Sequence, residues 1–210
     1  VGCALIGSIA GVCSAGILSD RLGRKITMLI SAALFSVSAI GCAICSGFTD
    51  LVAYRIIGGI GIGIVSVVSP VYISEIATAE KRGTLVSLYQ LAITIGFLMA
   101  YLVNYRILDI SSSSTFTSAF LDKLLVNEYW RGMLGSETLP ALLFFLIIFF
   151  IPESPRWLVL KEKKEKAFAI IKRIYLSDEK AKEEISAIKE NISGETKSEW
   201  KALLSPGIVK

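Results

Sequence analysis

Residues 51–75 read LVAYRIIGGIGIGIVSVVSPVYISE, from Leu51 to Glu75. About 20 apolar residues cross a hydrocarbon core of ~30 Å, so this run can span a membrane. Arg55 sits inside it. Placing an arginine in hydrocarbon costs from about 2.5 to more than 10 kcal/mol, so such a residue faces a protein interior or a wet cavity. At about 100° per residue, Arg55, Gly58, Gly59, Gly63, Ser66, Ser69 and Pro70 share one arc of about 140°. The opposite side is Ile and Val. One face is therefore expected to meet lipid, the other polar groups or a close neighbouring helix. Gly59 and Gly63 read as sites of tight helix packing. Arg55 reads as functional, with a structural ion pair as the competing reading.

Four similar blocks surround this one. Of 210 residues, 53% are hydrophobic and 19% charged, against roughly 25% charged in average soluble domains. The apolar excess falls in 1–18, 26–46, 51–73, 84–104 and 133–151, each long enough to span. The expected fold class is an all-α membrane protein with five transmembrane helices. The recurrence of the pattern excludes a signal peptide. The first residue already lies in an apolar run and no initiator Met precedes it, so an internal fragment of a longer protein is expected.

The chain has no His, which removes His-based acid–base catalysis, metal ligation and pH switching. Any proton carrier must be a carboxylate. No nucleophile–base pair is visible, so an enzyme is not expected. No cofactor and no metal are expected. Cys42-x-x-Cys45 has a redox-like spacing but no second pair and no βαβ context, and reads as packing. Residues 156–210 carry 13 Lys and Arg against 9 Asp and Glu, while 1–155 is balanced. Interleaved signs beside a membrane segment point to a solvated cytoplasmic tail, not to nucleic acid.

Orientation follows from the loops. Gly16–Lys25 holds three cations and is expected to be a turn of about six residues joining an antiparallel hairpin on the cytoplasmic side. Gly47–Asp50 has none. Glu75, Glu80, Lys81 and Arg82 mark the second inner loop. The outer loop 107–129 carries Ser111–Ser114 and Lys123, followed by Trp130 where an interfacial aromatic belongs. Past Pro152, Lys161–Leu176 and Asp178–Ile192 show helical apolar stripes, and Trp200, Leu203 and Leu204 make a third. Residues 152–205 are read as a cytoplasmic helical segment, with 206–210 beginning a further part of the protein.

Four motifs lie in order on these elements. They are Gly16-x3-Asp20-Arg21-x-Gly23-Arg24-Lys25, Arg55-x2-Gly58-Gly59-x-Gly61-x-Gly63, Tyr72-x2-Glu75-x6-Arg82-Gly83 and Pro152-Glu153-Ser154-Pro155-Arg156. Together they resemble the sugar porter branch of the major facilitator superfamily, most closely its bacterial D-xylose:proton symporters. The resemblance covers essentially the whole chain. It implies helices two to six of a twelve-helix fold, plus the cytoplasmic segment that links the two halves.

The resemblance also implies roles. Asp20, Arg21, Gly23, Arg24, Glu75, Arg82, Glu153 and Arg156 match a cytoplasmic gate whose salt bridges close the inner side. Ordinary positive-inside charge with helix capping is the alternative. Gln90 matches a sugar-binding Gln of the family. From the residues alone, Ser87, Gln90, Thr94, Phe97, Tyr101, Asn104 and Tyr105 share an arc of about 100°, offering amides, hydroxyls and aromatic faces to a sugar. Where the xylose symporters carry a second Gln, this chain has Phe97. Gln90, Thr94 and Phe97 are the expected substrate contacts.

Arg55 and Glu137 are each the fifth residue of an inward-running block, so both lie ~6–8 Å below the outer boundary. The resemblance places an acid of the first helix near this Arg. The expectation is that Arg55 holds that acid deprotonated and turns to Glu137 when it is protonated. The function implied is alternating-access transport of a monosaccharide, pentose or hexose, with proton symport. The alternatives are an uncoupled facilitator, a transporter-like sugar sensor or a nonfunctional truncated product. Expected partners are the sugar, the proton and the lipid bilayer, with no nucleic acid and a monomeric state. The expected place is the cell membrane as a multi-pass protein (the inner membrane in a Gram-negative source), with residues 153–210 cytoplasmic.

Overall fold

The structure is a computed structural model that describes residues 2–78, 80–113 and 122–194. The chain divides into two compact units, Val1–Pro152 and Glu153–Lys210. The first contains helices α1 (Gly2–Leu22), α2 (Arg24–Ile44), α3 (Phe48–Ile76), α4 (Arg82–Ser113), α5 (Tyr129–Ser136) and α6 (Thr138–Phe150). A short π-helical turn, Lys123–Asn127, precedes α5. Among the described residues, five segments are long and apolar enough to cross a membrane: α1, α2, α3, α4, and α5 with α6 together. No strand occurs among the described residues.

Helix α3 is the centre of this unit. A Cβ added at Gly59 or Gly63 would overlap the carbonyl oxygens of Ala4 and Ser8, and one added at Gly7 or Gly11 those of Ile56 and Ile60. The rising numbers on both sides make α1 and α3 parallel. Their backbones touch because neither helix carries a side chain there, the small-xxx-small arrangement of membrane helices. On its other side α3 meets α2 in antiparallel fashion. Ser31 Oγ donates to Gly61 O at 2.7 Å and Ser38 Oγ to Tyr54 O at 2.7 Å. These bonds suit a medium with no water to satisfy a hydroxyl.

The expected lipid-facing side of α3 is therefore not lipid-facing over its inner half. Ile64 and Val68 are fully buried with Ala15, Met28, Ala32, Tyr72 and Ile148 in one apolar cluster. A helix gripped by two neighbours has little surface left for lipid, which periodicity in one helix cannot reveal. Helix α4 is the opposite case, with none of the residues of its most apolar 18-residue stretch buried. It also runs to Ser113, well into the stretch read as loop. Ile107 on that extension is buried, and the hydroxyls of Ser111 and Ser112 donate to carbonyls three residues back, so serines there do not break the helix.

The α1–α2 junction differs from the expected six-residue turn. Helix α1 runs through Leu22 and α2 restarts at Arg24, leaving Gly23 alone between them. Gly23 has φ 96°, a conformation cheap only without a Cβ. Its carbonyl accepts from Thr27 N and Thr27 Oγ1 at 3.2 and 2.7 Å. We expect Gly23→Ala to destabilise the full-length protein by about 1–2 kcal/mol, read as a lower midpoint in thermal unfolding in detergent. An unchanged midpoint would show that the turn has another solution.

The second unit holds α7 (Pro155–Leu160), α8 (Lys164–Tyr175) and α9 (Asp178–Gly194). Its core is Trp157, Leu158, Val159 and Ala167, with Ile170, Ile185 and Ile188 packed against them. The Pro-Glu-Ser-Pro-Arg motif is locally a helix start. Ser154 Oγ accepts from Trp157 N at 3.3 Å, Pro155 takes the first helical position, and Glu153 Oε1 accepts from Ser154 N at 2.9 Å. Ser and Pro suit these two places for the reasons that govern all N-termini. The Trp200–Leu204 stripe lies outside the described residues.

Candidate functional site

Two charge centres stand at opposite ends of the spans, and their geometry differs in kind. At the Gly23 end, Arg24 is buried and its fork meets Glu75 twice, Nε to Oε2 and Nη2 to Oε1, both at 2.9 Å. Its Nη1 also donates to Ser19 O at 3.1 Å and Asp20 Oδ1 at 3.2 Å. Arg24 and Glu75 side chains are only 9% and 7% exposed, whereas Asp20 is 76% exposed. A bidentate, desolvated pair of this kind holds one geometry firmly. It ties α2 to α3 where α3 ends. Lys25 Nζ donates to Phe149 O at 2.8 Å and Tyr72 Oη to Pro152 O at 2.9 Å, so α2 grips the last turn of α6 and α3 the chain just beyond it.

Of the other expected gate residues in this unit, Arg21 and Arg82 are exposed. Neither makes an ion pair with a described residue. Arg82 opens α4, its backbone N–H donating to Thr78 O at 3.0 Å. Glu153 and Arg156 belong to the second unit, at the N-terminus of α7.

Near the Gly47 end the structure brings Arg55 and Glu137 together, Nη1 to Oε1 at 3.9 Å, with side chains 31% and 41% exposed. This pair is long and half-open. Arg55 also borders a cavity of about 540 Å³ with Cys3, Ser8, Phe48 and Leu134 among its walls. Glu137 stands at a break: α5 ends at Ser136 and α6 begins at Thr138. Pro140 has no N–H to give back to Ser136, so the ladder is already interrupted there.

Arg131 is a residue that sequence reasoning did not single out. Its Nε pairs with Glu128 Oε2 at 2.5 Å, Nη1 donates to Cys45 O, and the guanidinium lies 4.5 Å from the Trp130 ring centre. Its side chain is 11% exposed. The clamp fixes the start of α5 to the end of α2, six residues before Glu137. An Arg at the very start of an apolar block reads as an ordinary interfacial anchor. Only the end of α2, distant in sequence, shows otherwise.

The expected sugar contacts lie on α4. Thr94 Oγ1 donates to Gln90 O at 3.2 Å, and Gln90, Thr94 and Phe97 are all exposed. A second cavity, of about 330 Å³, lies between α2, α3, α4 and α6, and Tyr89 and Ile93 rather than Gln90 and Thr94 face it. Its other walls include Phe35, Ile62 and Phe144, an apolar lining with little to offer a hydroxylated ligand. Cys42 and Cys45 are buried as free thiols. No group of three His, Cys, Asp or Glu side chains placed to hold a metal occurs among the described residues.

Comparison with known proteins settles the family. The family model described as "Sugar (and other) transporter" matches residues 1–208. The chain belongs to this family. It is a sugar porter of the major facilitator superfamily, and the family is one of transporters, not enzymes. The D-xylose-proton symporter of Escherichia coli (strain K12) is 41% identical over 192 residues, covering 83% of this chain and 37% of that protein. The arabinose-proton symporter of Bacillus subtilis (strain 168) is 38% identical over 206 residues, covering 98% and 42%. Among solved structures, the proton:xylose symporter XylE bound to 6-bromo-6-deoxy-D-glucose superposes with a TM-score of 0.84 at 37% identity, over 97% of this chain and 44% of that one. The chain thus spans about two fifths of the length of the curated relatives it matches. As a sugar porter it is a multi-pass membrane protein, in keeping with its five membrane-length segments.

Proposed function

We propose that the full-length protein carrying this chain transports a monosaccharide across the cell membrane by alternating access, in symport with a proton. The observation that carries the reading is the contrast between the two ion pairs. Arg24–Glu75 is short, bidentate and buried. Arg55–Glu137 is 3.9 Å long and partly open. A pair that must exchange partners within each cycle cannot be held as the first is. Half-exposed pairs contribute about 0–1 kcal/mol, which a competing carboxylate can overcome. Relatives named as xylose– and arabinose–proton symporters support both the sugar and the proton.

In this reading Arg55 and Glu137 are the proton-coupling residues. Arg55 keeps an acid elsewhere in the protein ionised, and protonation of that acid frees Arg55 for Glu137. Asp20, Arg21, Gly23, Arg24, Glu75, Arg82, Glu153 and Arg156 form the inner gate, with residues 153–210 in the cytoplasm and 152–205 as the helical linker. The protein acts as a monomer. The exposed stripe of α4 faces the pathway, and Gln90, Thr94 and Phe97 meet the sugar.

The sugar assignment is tested by binding. Gln90→Ala should weaken monosaccharide binding to the purified full-length protein by about 1–3 kcal/mol, the cost of a lost buried hydrogen bond, in isothermal titration. Phe97→Gln should move the preference order toward xylose. Unchanged binding by Gln90→Ala with intact folding would remove Gln90 from the site.

A further inference from the structure

The charge of the second unit is sorted between its helices. Residues 156–173 hold seven Lys and Arg against Glu162 and Glu165, net +5, whereas 178–190 holds five acids against three lysines, net −2. The basic half is the one joined directly to the last span. Lys161 is nine residues past Pro152, so at most about 30 Å of chain separates them.

Lys161, Lys163, Lys164, Lys166 and Arg173 are all exposed. Helix α8 turns Ala167 and Ile171 into its own unit's interior, both essentially inaccessible. Lys166 and Arg173 are one and two steps from that side around the helix, on the outward arc. At the end of α8 comes Leu176, 88% exposed, with φ 54°. Its backbone N–H closes the helix onto Lys172 O at 2.8 Å. A γ-branched apolar residue is a poor choice for a left-handed position, which favours Gly or Asn. It is a poor choice for open water too. Leu176 is not part of the apolar core that the described residues of this unit form.

Exposed cations with an apolar side chain projecting beside them are the chemistry of an interfacial membrane contact: the cations meet anionic headgroups and the apolar group enters the acyl boundary. We propose that the basic edge formed by the α7–α8 turn and α8, from Lys161 to Arg173, docks on the anionic headgroups of the bilayer that the protein's own spans cross, with Leu176 inserted among the lipids. Each basic residue near an anionic surface contributes about five-fold in affinity. Docking of this kind needs only the membrane-spanning first unit and the charge of the second. It does not depend on the sugar or the proton.

The test places the photo-crosslinking residue p-benzoylphenylalanine at position 176 of the full-length protein in nanodiscs. Discs of phosphatidylcholine are compared with discs containing a limiting share of phosphatidylglycerol, and crosslinked lipid is read by mass spectrometry. We expect adducts dominated by phosphatidylglycerol. Combining Lys163→Gln, Lys164→Gln and Lys166→Gln should weaken docking by about a hundred-fold and drop the adduct yield to that of the uncharged discs. The Lys→Arg counterparts, which keep the charge, should retain it. Adducts to the protein alone would mean that another part of the chain covers Leu176. Lipid adducts indifferent to headgroup charge or to the lysines would mean depth without electrostatic docking. Either result overturns the proposal, and neither requires the protein to transport anything.

Discussion

Glu75→Ala is expected to destabilise the full-length protein by about 3–5 kcal/mol. Removing one partner from a buried ion pair leaves the other charge desolvated, and the cost is of that size. Here the orphan would be Arg24, 9% exposed, whose two bonds to Glu75 are both 2.9 Å. Asp20 is a poor substitute, because it is 76% exposed and its contact with Nη1, at 3.2 Å, is longer than either bond to Glu75. Asp20→Asn should accordingly cost less than about 1 kcal/mol, as open pairs do. Replacing both partners together, Arg24→Met with Glu75→Leu, should recover most of the loss, since an apolar pair of similar volume removes the desolvated charge. A double-mutant cycle on thermal unfolding in detergent separates these cases. Glu75→Ala within 1 kcal/mol of the parent would show that Arg24 is held by other groups.

Gly63→Val should damage the assembly by a comparable amount through geometry alone. Its Cβ would strike the carbonyl of Ser8, and the neighbouring atoms are also α1 backbone, with Val12 N at 2.9 Å. Overpacking a core costs about 1–3 kcal/mol where side chains can shift. Here no side chain can give way, so α1 and α3 must separate along the whole Gly7–Gly11 and Gly59–Gly63 contact. Gly96 provides the control: nothing lies within 4 Å of a Cβ there, and Gly96→Ala in mid-helix should be neutral or stabilising by up to about 1 kcal/mol. Size-exclusion profiles and unfolding midpoints of the full-length variants distinguish the two. Equal behaviour of Gly63→Val and Gly96→Ala would contradict the backbone contact between α1 and α3.

These two sites also mark how far sequence reasoning reaches. The membrane spans were legible because lipid demands about 20 apolar residues in a row and little else. The contacts at Gly59 and Gly63 were legible because two small residues four apart let a neighbouring backbone close on one helix face. The apposition of Arg55 and Glu137 followed from depth, since two charges at one level of a bundle have few other partners. What eluded the sequence was set by contacts between distant elements. The burial of Ile64 and Val68 depends on α3 having neighbours on two sides. The one-residue turn at Gly23 depends on a φ that a Gly permits but does not require. Arg131 became a clamp only because the end of α2 arrives beside it. For the sugar contacts, the sequence assigned an arc of α4 but not its neighbours.

The proposed exchange of partners by Arg55 and Glu137 would couple sugar to protons. It is tested most directly by counterflow and accumulation in proteoliposomes of the full-length protein, comparing the parent with Glu137→Gln under an imposed proton gradient. The parent should concentrate sugar against its gradient and take up protons with it. Glu137→Gln should keep sugar exchange and lose accumulation. Normal accumulation by Glu137→Gln, or accumulation by the parent with no proton movement, would contradict it.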